Sequence, residues 1–248
     1  MSKIILSMQT LAQQSRAVFA CAVALCSFAA CSDNEDDGDD ASEGGGNTSE
    51  MTFFVTSTDH DGDLGGLDGA DEICDDLATA VGAGDHTWRA YLSAENDGSP
   101  IHARSRIGNG PWMNAAGEML APNLEALHSA SMNGNAEMFI DENGDRIDGQ
   151  WNGSNGMNGS PPNQHDVMTG SDENGMLIMD MVTTCDDWTS NTLTPGPQVG
   201  HTDGMGPGMD TSMRNYTSWN GGHAAAGCSA ADLQMRGGAG KFYCFAAD

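Results

Sequence analysis

The stretch Leu64-Gly-Gly-Leu-Asp-Gly-Ala-Asp-Glu-Ile-Cys-Asp-Asp-Leu-Ala-Thr-Ala-Val-Gly82 contains the strongest helix signal in the chain. Asp68 can cap the helix at its start, and Gly82 can end it. Small and apolar side chains recur on one face at helical spacing, namely Ala70, Ile73, Cys74, Leu77, Ala78 and Val81. The pattern therefore predicts an amphipathic helix whose Cys74 points into the core, where a disulfide would fix the helix.

Shorter elements are predicted on either side of this helix. Residues 51–58 and 87–93 are rich in β-branched and aromatic side chains, which predicts strands, and residues 241–245 predict a closing strand. Residues 121–128 can form a short second helix, because Pro122 suits a first helical turn.

Two segments, 149–166 and 191–222, are rich in Gly, Asn, Ser and Pro and are predicted to be long loops. Loops of this length are uncommon in compact domains and often carry function.

The first 30 residues are typical of an export signal. Lys3 and Arg16 are positive, and residues 17–30 are apolar but shorter than the roughly 20 residues that span a membrane. Phe28-Ala-Ala-Cys31 then resembles a lipobox, in which the cysteine is lipidated, with Phe28 in place of the usual Leu. The alternative is an ordinary cleavable signal with an incidental cysteine.

Two other cysteines compete for the anchor role. Cys21 lies inside the apolar run, and Cys26 follows the large Leu25. Cys31 alone has apolar residues before it and charged residues after it. Ser32 rather than Asp follows Cys31, which resembles outer-membrane sorting in proteobacterial lipoproteins.

Residues 31–50 form an acidic segment that contains no large apolar side chain, so we expect a disordered tether. The folded domain is predicted to occupy residues 51–248. The whole chain has 36 acidic and 9 basic residues, a net charge of −27. Such a surface disfavours nucleic acid and heparin-like polyanions. Lipid attachment at Cys31 is then the expected contact with the membrane.

Four cysteines follow the tether: Cys74, Cys185, Cys228 and Cys244. An even number in an exported domain predicts two disulfides. Four cysteines permit three pairings, and their spacing does not choose among them.

Seven stretches, in this order, resemble the endostatin domain of collagens and its bacterial relatives of C-type-lectin-like fold. They are Leu64–Asp71 with Cys74, Trp88–Ser93, Glu118–Leu127, Gly170–Gly175, Cys185–Trp188, Cys228–Ala230 and Phe242–Phe245. The resemblance covers nearly all of residues 53–246. It implies an α+β domain with mostly antiparallel strands, two helices and long loops, and it implies the disulfides Cys74–Cys244 and Cys185–Cys228.

The chain departs from these relatives at their known sites. The tether has no histidine for the zinc site of animal endostatin, and basic residues for heparin are scarce. Calcium-dependent lectins use a Glu-Pro-Asn loop and a Trp-Asn-Asp element, but this chain has Trp219-Asn-Gly221 and lacks Glu-Pro-Asn. Zinc and heparin binding are therefore not carried over from the resemblance, and the sugar-binding elements of calcium-dependent lectins are incomplete here.

Two patterns suggest metal ligands. Asp59, Asp61 and Asp63 place carboxylates at alternate positions, as calcium loops do, although the twelfth position is Ala70 and not Glu; residues 141–145 are a weaker candidate. A second pattern repeats imidazole and thioether groups, which suit Cu(I), every four residues at His201, Met205, Met209 and Met213. Glycines among them argue against a helix, so we interpret this segment as a loop. If a cofactor is bound, we therefore expect calcium rather than copper.

No catalytic motif occurs, and the seven histidines are scattered along the sequence. We therefore expect no enzyme, unless a pocket gathers a histidine with two acids. Trp151 and Trp219 lie in polar loops, so we expect them, with Asn220, to contact a ligand.

The expected protein is a lipoprotein of the outer membrane or cell surface that presents a non-catalytic ligand-binding or adhesion domain. Its partner would be a glycan or an extracellular protein. The alternatives are a structural envelope lipoprotein without a specific ligand and a calcium-dependent carbohydrate-binding lectin.

Overall fold

A computed structural model describes residues 50–179 and 183–248. The expected signal, the expected anchor Cys31 and the tether up to residue 49 lie outside the described residues. The described part is a mixed α/β structure with mostly antiparallel strands and few helices, in keeping with an α+β class. Within it, no helix combines the length and apolar character that crossing a membrane requires.

The strands of the described part are short, apart from the last one. They are β1 (Phe53–Val55), β2 (Trp88–Ala90), β3 (Ala94–Asn96), β4 (Ser99–Ile101), β5 (Trp112–Met113), β6 (Met119–Ala121), β7 (Asp166–Met168), β8 (Gln198–His201), β9 (His223–Ala224) and β10 (Gly238–Ala246).

The main sheet has the order β1-β10-β7-β8-β9, and β2 also pairs with β10. β10 is parallel to β7, whereas the other pairs of this sheet are antiparallel. β3 pairs with β4 and β5 pairs with β6 as two small antiparallel ribbons. The predicted closing strand is thus the centre of the sheet, which explains its apolar sequence.

The helices are α1 (Gly66–Ala80) and the single turns α2 (Leu124–Leu127), α3 (Cys185–Trp188), α4 (Arg214–Thr217) and α5 (Ala230–Gln234). Helix α1 confirms the prediction from residues 64–82, although Gly65 rather than Asp68 occupies the N-cap position and Asp68 lies in the first turn. Its buried face comprises Ala70, Cys74 and Ala78. Val81 is 41% exposed, so the apolar stripe ends one turn earlier than its sequence indicates.

Two disulfides fix the domain, and they are the pairs that the resemblance implies. Cys74 of α1 bonds to Cys244 of β10, and Cys185 bonds to Cys228. The four residues of α3, from Cys185 to Trp188, all have positive φ. This left-handed turn is unfavourable for non-glycine residues, and the second disulfide holds its first residue in place.

The two predicted long loops are more structured than their composition suggests. Segment 191–222 contains β8 and α4, and segment 149–166 contains a 3-10 turn at Gln150–Asn152 and ends at the first residue of β7. Composition alone hides these elements, because each has only three or four residues.

Candidate metal centre

The register of three neighbouring strands places acidic and histidine side chains on one face of the main sheet. Asp166 on β7 is the partner of His201 on β8, and Val199 on β8 is the partner of His223 on β9. Partners across antiparallel strands share a face, as do residues two apart on one strand. Asp166, His201 and His223 therefore point to the same side of the sheet.

His165, immediately before β7, completes the cluster. Its Nε2 lies 3.1 Å from Oδ1 of Asp166, and Nε2 of His201 lies 3.3 Å from the same oxygen. Nε2 of His223 lies 3.6 Å from Oδ2 of Asp166 and 3.1 Å from Nε2 of His201. The ligand atoms of His165, Asp166 and His201 thus form one compact group, and His223 lies at its edge beside His201.

Hydrogen bonds on the outer side of each ring define its tautomer. Nδ1 of His165 contacts Oδ1 of Asp203 at 2.8 Å, Nδ1 of His201 contacts the carbonyl of Tyr216 at 2.8 Å, and Nδ1 of His223 contacts the carbonyl of Ala224 at 3.1 Å. Carbonyl and carboxylate oxygens only accept hydrogen bonds, so each Nδ1 donates its proton. In a neutral ring, Nε2 then presents its lone pair to the cluster, as it does in metal-binding histidines.

Asp166 makes this arrangement unusual. Its side chain is 1% exposed, and neither oxygen accepts a well-formed hydrogen bond from any described residue. A buried carboxylate without hydrogen bonds is costly. A cation bound in this group would satisfy the carboxylate together with the lone pairs of His165 and His201, and His223 lies close enough to His201 to join them.

Without a cation, a proton on His165 compensates the charge of the neighbouring carboxylates. Burial opposes protonation of His165, but Asp166 and Asp203 outweigh it and raise its pKa to about 9. Burial lowers the pKa of His201, and repulsion from His165 and His223 adds to this effect against the attraction of Asp166. The hydrogen bond and charge of His165 lower the pKa of Asp203 despite its burial.

The ligand set fits a borderline transition metal, with zinc first. Zn²⁺ accepts imidazole nitrogen and carboxylate oxygen at about 2.0–2.1 Å, so neighbouring ligand atoms of a tetrahedral site lie about 3.3–3.4 Å apart. The two contacts to Oδ1 of Asp166 are 3.1 and 3.3 Å, the contact of His223 to Oδ2 is 3.6 Å, and His201 lies 3.1 Å from His223. Calcium prefers six to eight oxygen ligands, so this set does not suit it.

A cavity of about 810 Å³ opens over this cluster. The three ligand histidines line it together with Gln150, Tyr216 and Arg236. His223 is the most exposed of the four ligand side chains, at 27%, whereas the other three are 4% exposed or less. Segments 149–166 and 191–222 both contribute to the wall, so they meet at this site.

The structure does not bring the predicted calcium ligands together. Asp59 contacts the buried ammonium of Lys241 at 3.0 Å, Asp61 accepts a hydrogen bond from the side chain of Asn191, and Asp63 caps the backbone of Gly65. Among the described residues, only His165, Asp166 and His201 form a group of three His, Cys, Asp or Glu side chains whose ligand atoms all lie within 4.8 Å of one another. The geometry does not support the calcium prediction, because a lysine already neutralises Asp59.

Trp219 and Asn220 are not ligand contacts, contrary to the prediction. Trp219 is 1% exposed and packs against Tyr91 and Tyr243, and Asn220 is fully buried. The amide of Asn220 donates to the hydroxyl of Tyr91 at 2.9 Å. Their polar sequence neighbours suggested exposure, but both belong to the core.

Trp151 is half-buried, and its indole N–H donates to the carbonyl of Ile147. It borders a smaller cavity that Asp203 also lines. Of the three predicted contact residues, it is the one that retains an accessible surface.

The methionine pattern contributes one residue to the candidate centre. His201 belongs to it, whereas Met209 and Met213 are 53% and 44% exposed. The histidines looked scattered because their convergence depends on strand register. Two features of the sequence could have indicated the site: the adjacent ligand types His165 and Asp166, and the position of His201 in a segment that forms a strand.

No protein family model matches this chain, and no curated protein is similar to it in sequence.

Proposed function

We propose that this chain is an exported lipoprotein whose extracellular domain, of endostatin-like and C-type-lectin-like fold, is a ligand-binding module built around a transition-metal site. His165, Asp166, His201 and His223 hold the ion, and Asp203 orients His165. The observation that carries the proposal is the buried Asp166 carboxylate, which accepts no hydrogen bond from residues 50–179 or 183–248 and faces three imidazole nitrogens.

The fold assignment is supported by the nested disulfides, which are the pairs that the resemblance implies. The metal site is not part of that resemblance, because its ligands come from the three strands β7 to β9 and their approach rather than from an N-terminal segment.

Zinc binding tests the proposal directly. The mature chain without the lipidated cysteine, residues 32–248, is stripped with a chelator and titrated with Zn²⁺ against a chromophoric competitor. We expect one ion per chain and a higher melting temperature in its presence. His201→Ala should abolish tight binding, whereas His86→Ala, which changes a histidine beside β2, should not. Circular dichroism of the metal-free variants confirms that they are folded; equal affinity in both would overturn the proposal.

The lipid anchor is tested separately. Detergent-phase partition of the expressed full chain should be lost in Cys31→Ala. It should be retained in Cys21→Ala and Cys26→Ala, because those cysteines lie in the part that cleavage removes. Partition of Cys31→Ala with the detergent phase would refute the anchor.

Metal-assisted hydrolysis is the second candidate function. His165 lies between two acids, Asp166 and Asp203, and its ring lines a solvent-accessible cavity. A transition metal that is held by imidazoles and reachable by substrate is a common hydrolytic arrangement. Activity on nitrophenyl esters that requires zinc and disappears in His201→Ala would favour it over binding alone.

A further inference from the structure

The cavity above the cluster differs in charge from the rest of the molecule. The chain has 36 acidic residues, yet none of the sixteen residues that line this cavity is Asp or Glu. Asp166 lies behind the wall, where the histidine rings cover it. The wall is instead rich in amides and hydroxyls, including Gln150, Asn155, Ser160 and Asn163. Such groups hydrogen-bond oxygen-rich ligands without repelling an anion.

Arg236 supplies a positive charge to this wall. Its Nη1 donates to the carbonyl of Ala224 at 2.9 Å, and Nδ1 of His223 donates to the same oxygen at 3.1 Å. The guanidinium therefore lies beside a ligand imidazole. No carboxylate of the described residues forms an ion pair with Arg236, although acids outnumber bases fourfold in the chain. The charge thus stays available to a ligand.

The coordination sphere can be reached from this side. His165, Asp166 and His201 close it toward the protein interior, and the more exposed His223 forms its edge at the cavity. Zinc that has four ligands can accept a fifth. A ligand oxygen approaching past His223 would meet the ion and the guanidinium of Arg236 at the same end of the cavity.

We propose that this cavity binds a small carboxylate-bearing ligand, with its carboxylate held between the metal ion and Arg236 and its polar remainder hydrogen-bonded by the amide wall. This inference rests on the proposed metal site. Planar guanidinium groups are well matched to carboxylates. A volume of about 810 Å³ lies in the range of pockets that bind small molecules. Two sources share this chemistry: acidic sugars and the carboxylates of peptides.

Cobalt substitution tests the inference with a direct optical readout. Co²⁺ occupies zinc sites of nitrogen and oxygen ligands, and its visible absorption changes with the number and type of its ligands. The Co²⁺-loaded 32–248 chain is titrated with galacturonate and with N-acetylglycine, each up to about 50 mM to cover millimolar affinities. Galactose and N-acetylglycinamide are the matched neutral ligands. We expect a saturable spectral change with an acid and none with its neutral counterpart.

The preferred acid identifies the source of the ligand. Saturation by galacturonate alone indicates acidic sugars, and saturation by N-acetylglycine alone indicates peptides; saturation by both supports a general carboxylate site. Arg236→Gln should weaken binding of the preferred acid about tenfold without changing cobalt binding. Arg104→Gln, a change of the same kind at a half-buried arginine outside the cavity, should have no effect.

The failures of the two proposals are distinguishable. If Co²⁺ produces no ligand-field spectrum in the chain, the metal site itself is refuted. If the spectrum forms but neither acid changes it, the carboxylate inference is overturned and the metal site stands. Equal responses to acids and neutral ligands would also overturn the carboxylate inference.

Discussion

Nδ1 of His165 lies 2.8 Å from Oδ1 of Asp203, and both side chains are almost fully buried. The second oxygen of Asp203 accepts the backbone N–H of Gln150 at 2.7 Å, and Oδ1 also accepts that of Met205. One carboxylate therefore orients a proposed metal ligand and joins the two segments that form the cavity wall.

Asp203→Asn should weaken zinc binding about 10- to 100-fold, the usual effect of removing a carboxylate behind a ligand histidine. The amide has one donor end, so it cannot accept all of these hydrogen bonds. Competition with a chromophoric chelator measures the change. Asp210→Asn removes the same charge from a partly exposed position of the same segment, away from His165, and should leave affinity nearly unchanged. Equal losses in both variants would assign the effect to overall charge.

Replacement of the two tryptophans should show which of them belongs to the core. Trp219→Ala removes a ring that is 1% exposed, so we expect a loss of about 3–5 kcal/mol in the free energy of unfolding. Trp151→Ala removes a half-buried ring and should cost about 1–2 kcal/mol. Urea unfolding of the metal-free chain measures both. A larger loss from Trp151→Ala would contradict the assignment of Trp219 to the core.

The two disulfides should differ in their contribution to stability. Cys74–Cys244 links residues 170 apart and Cys185–Cys228 links residues 43 apart. In the chain-entropy model these bonds contribute about 5 and about 4 kcal/mol. The paired alanine variants, compared by urea unfolding, should lose stability in that order. The reverse order would show that the shorter link fixes more native structure than loop entropy accounts for.

His128 should make stability depend on pH. Its Nδ1 donates to the carbonyl of Leu124, and its Nε2 contacts the hydroxyl of Tyr91 at 2.8 Å. Burial lowers the pKa of His128 below the unfolded value of about 6.5, although the Leu124 bond opposes this shift. The unfolded chain therefore takes up the proton at higher pH than the folded chain. The stability that the neutral ring provides is present above the unfolded pKa and is lost as the pH falls through and below it.

The test compares wild type with His128→Asn by urea unfolding at about pH 7.5 and at about pH 5, in chelator so that no metal contributes. We expect the stability advantage of wild type to shrink at the lower pH. An advantage that stays constant or grows would contradict the direction of the shift.

Local patterns predicted the elements that are decided locally. The face of α1 follows from helical periodicity, and the aromatic run at residues 241–245 predicted β10, which the structure extends to Gly238–Ala246. The candidate centre could not be predicted in this way. His165, His201 and His223 lie in Gly-rich segments, and only the pairing of Asp166 with His201 and of Val199 with His223 brings them together.

Trp219 and Asn220 illustrate the opposite error. Their surroundings in sequence are polar, yet the indole N–H reaches the carbonyl of Leu127 and the amide reaches Tyr91, both far away along the chain. Long-range hydrogen bonds allow such polar side chains to be buried, and composition does not reveal them.

β9 is the outermost strand of the main sheet and has only two residues. Short edge strands are weakly held, and a slip of one residue turns every side chain to the opposite face. A slip here would carry His223 away from Asp166 and His201. A cation bound at the proposed site would therefore link β9 to β7 and β8. Its loss would leave this edge of the sheet free to shift, whereas the Cys74–Cys244 disulfide holds β10 in place.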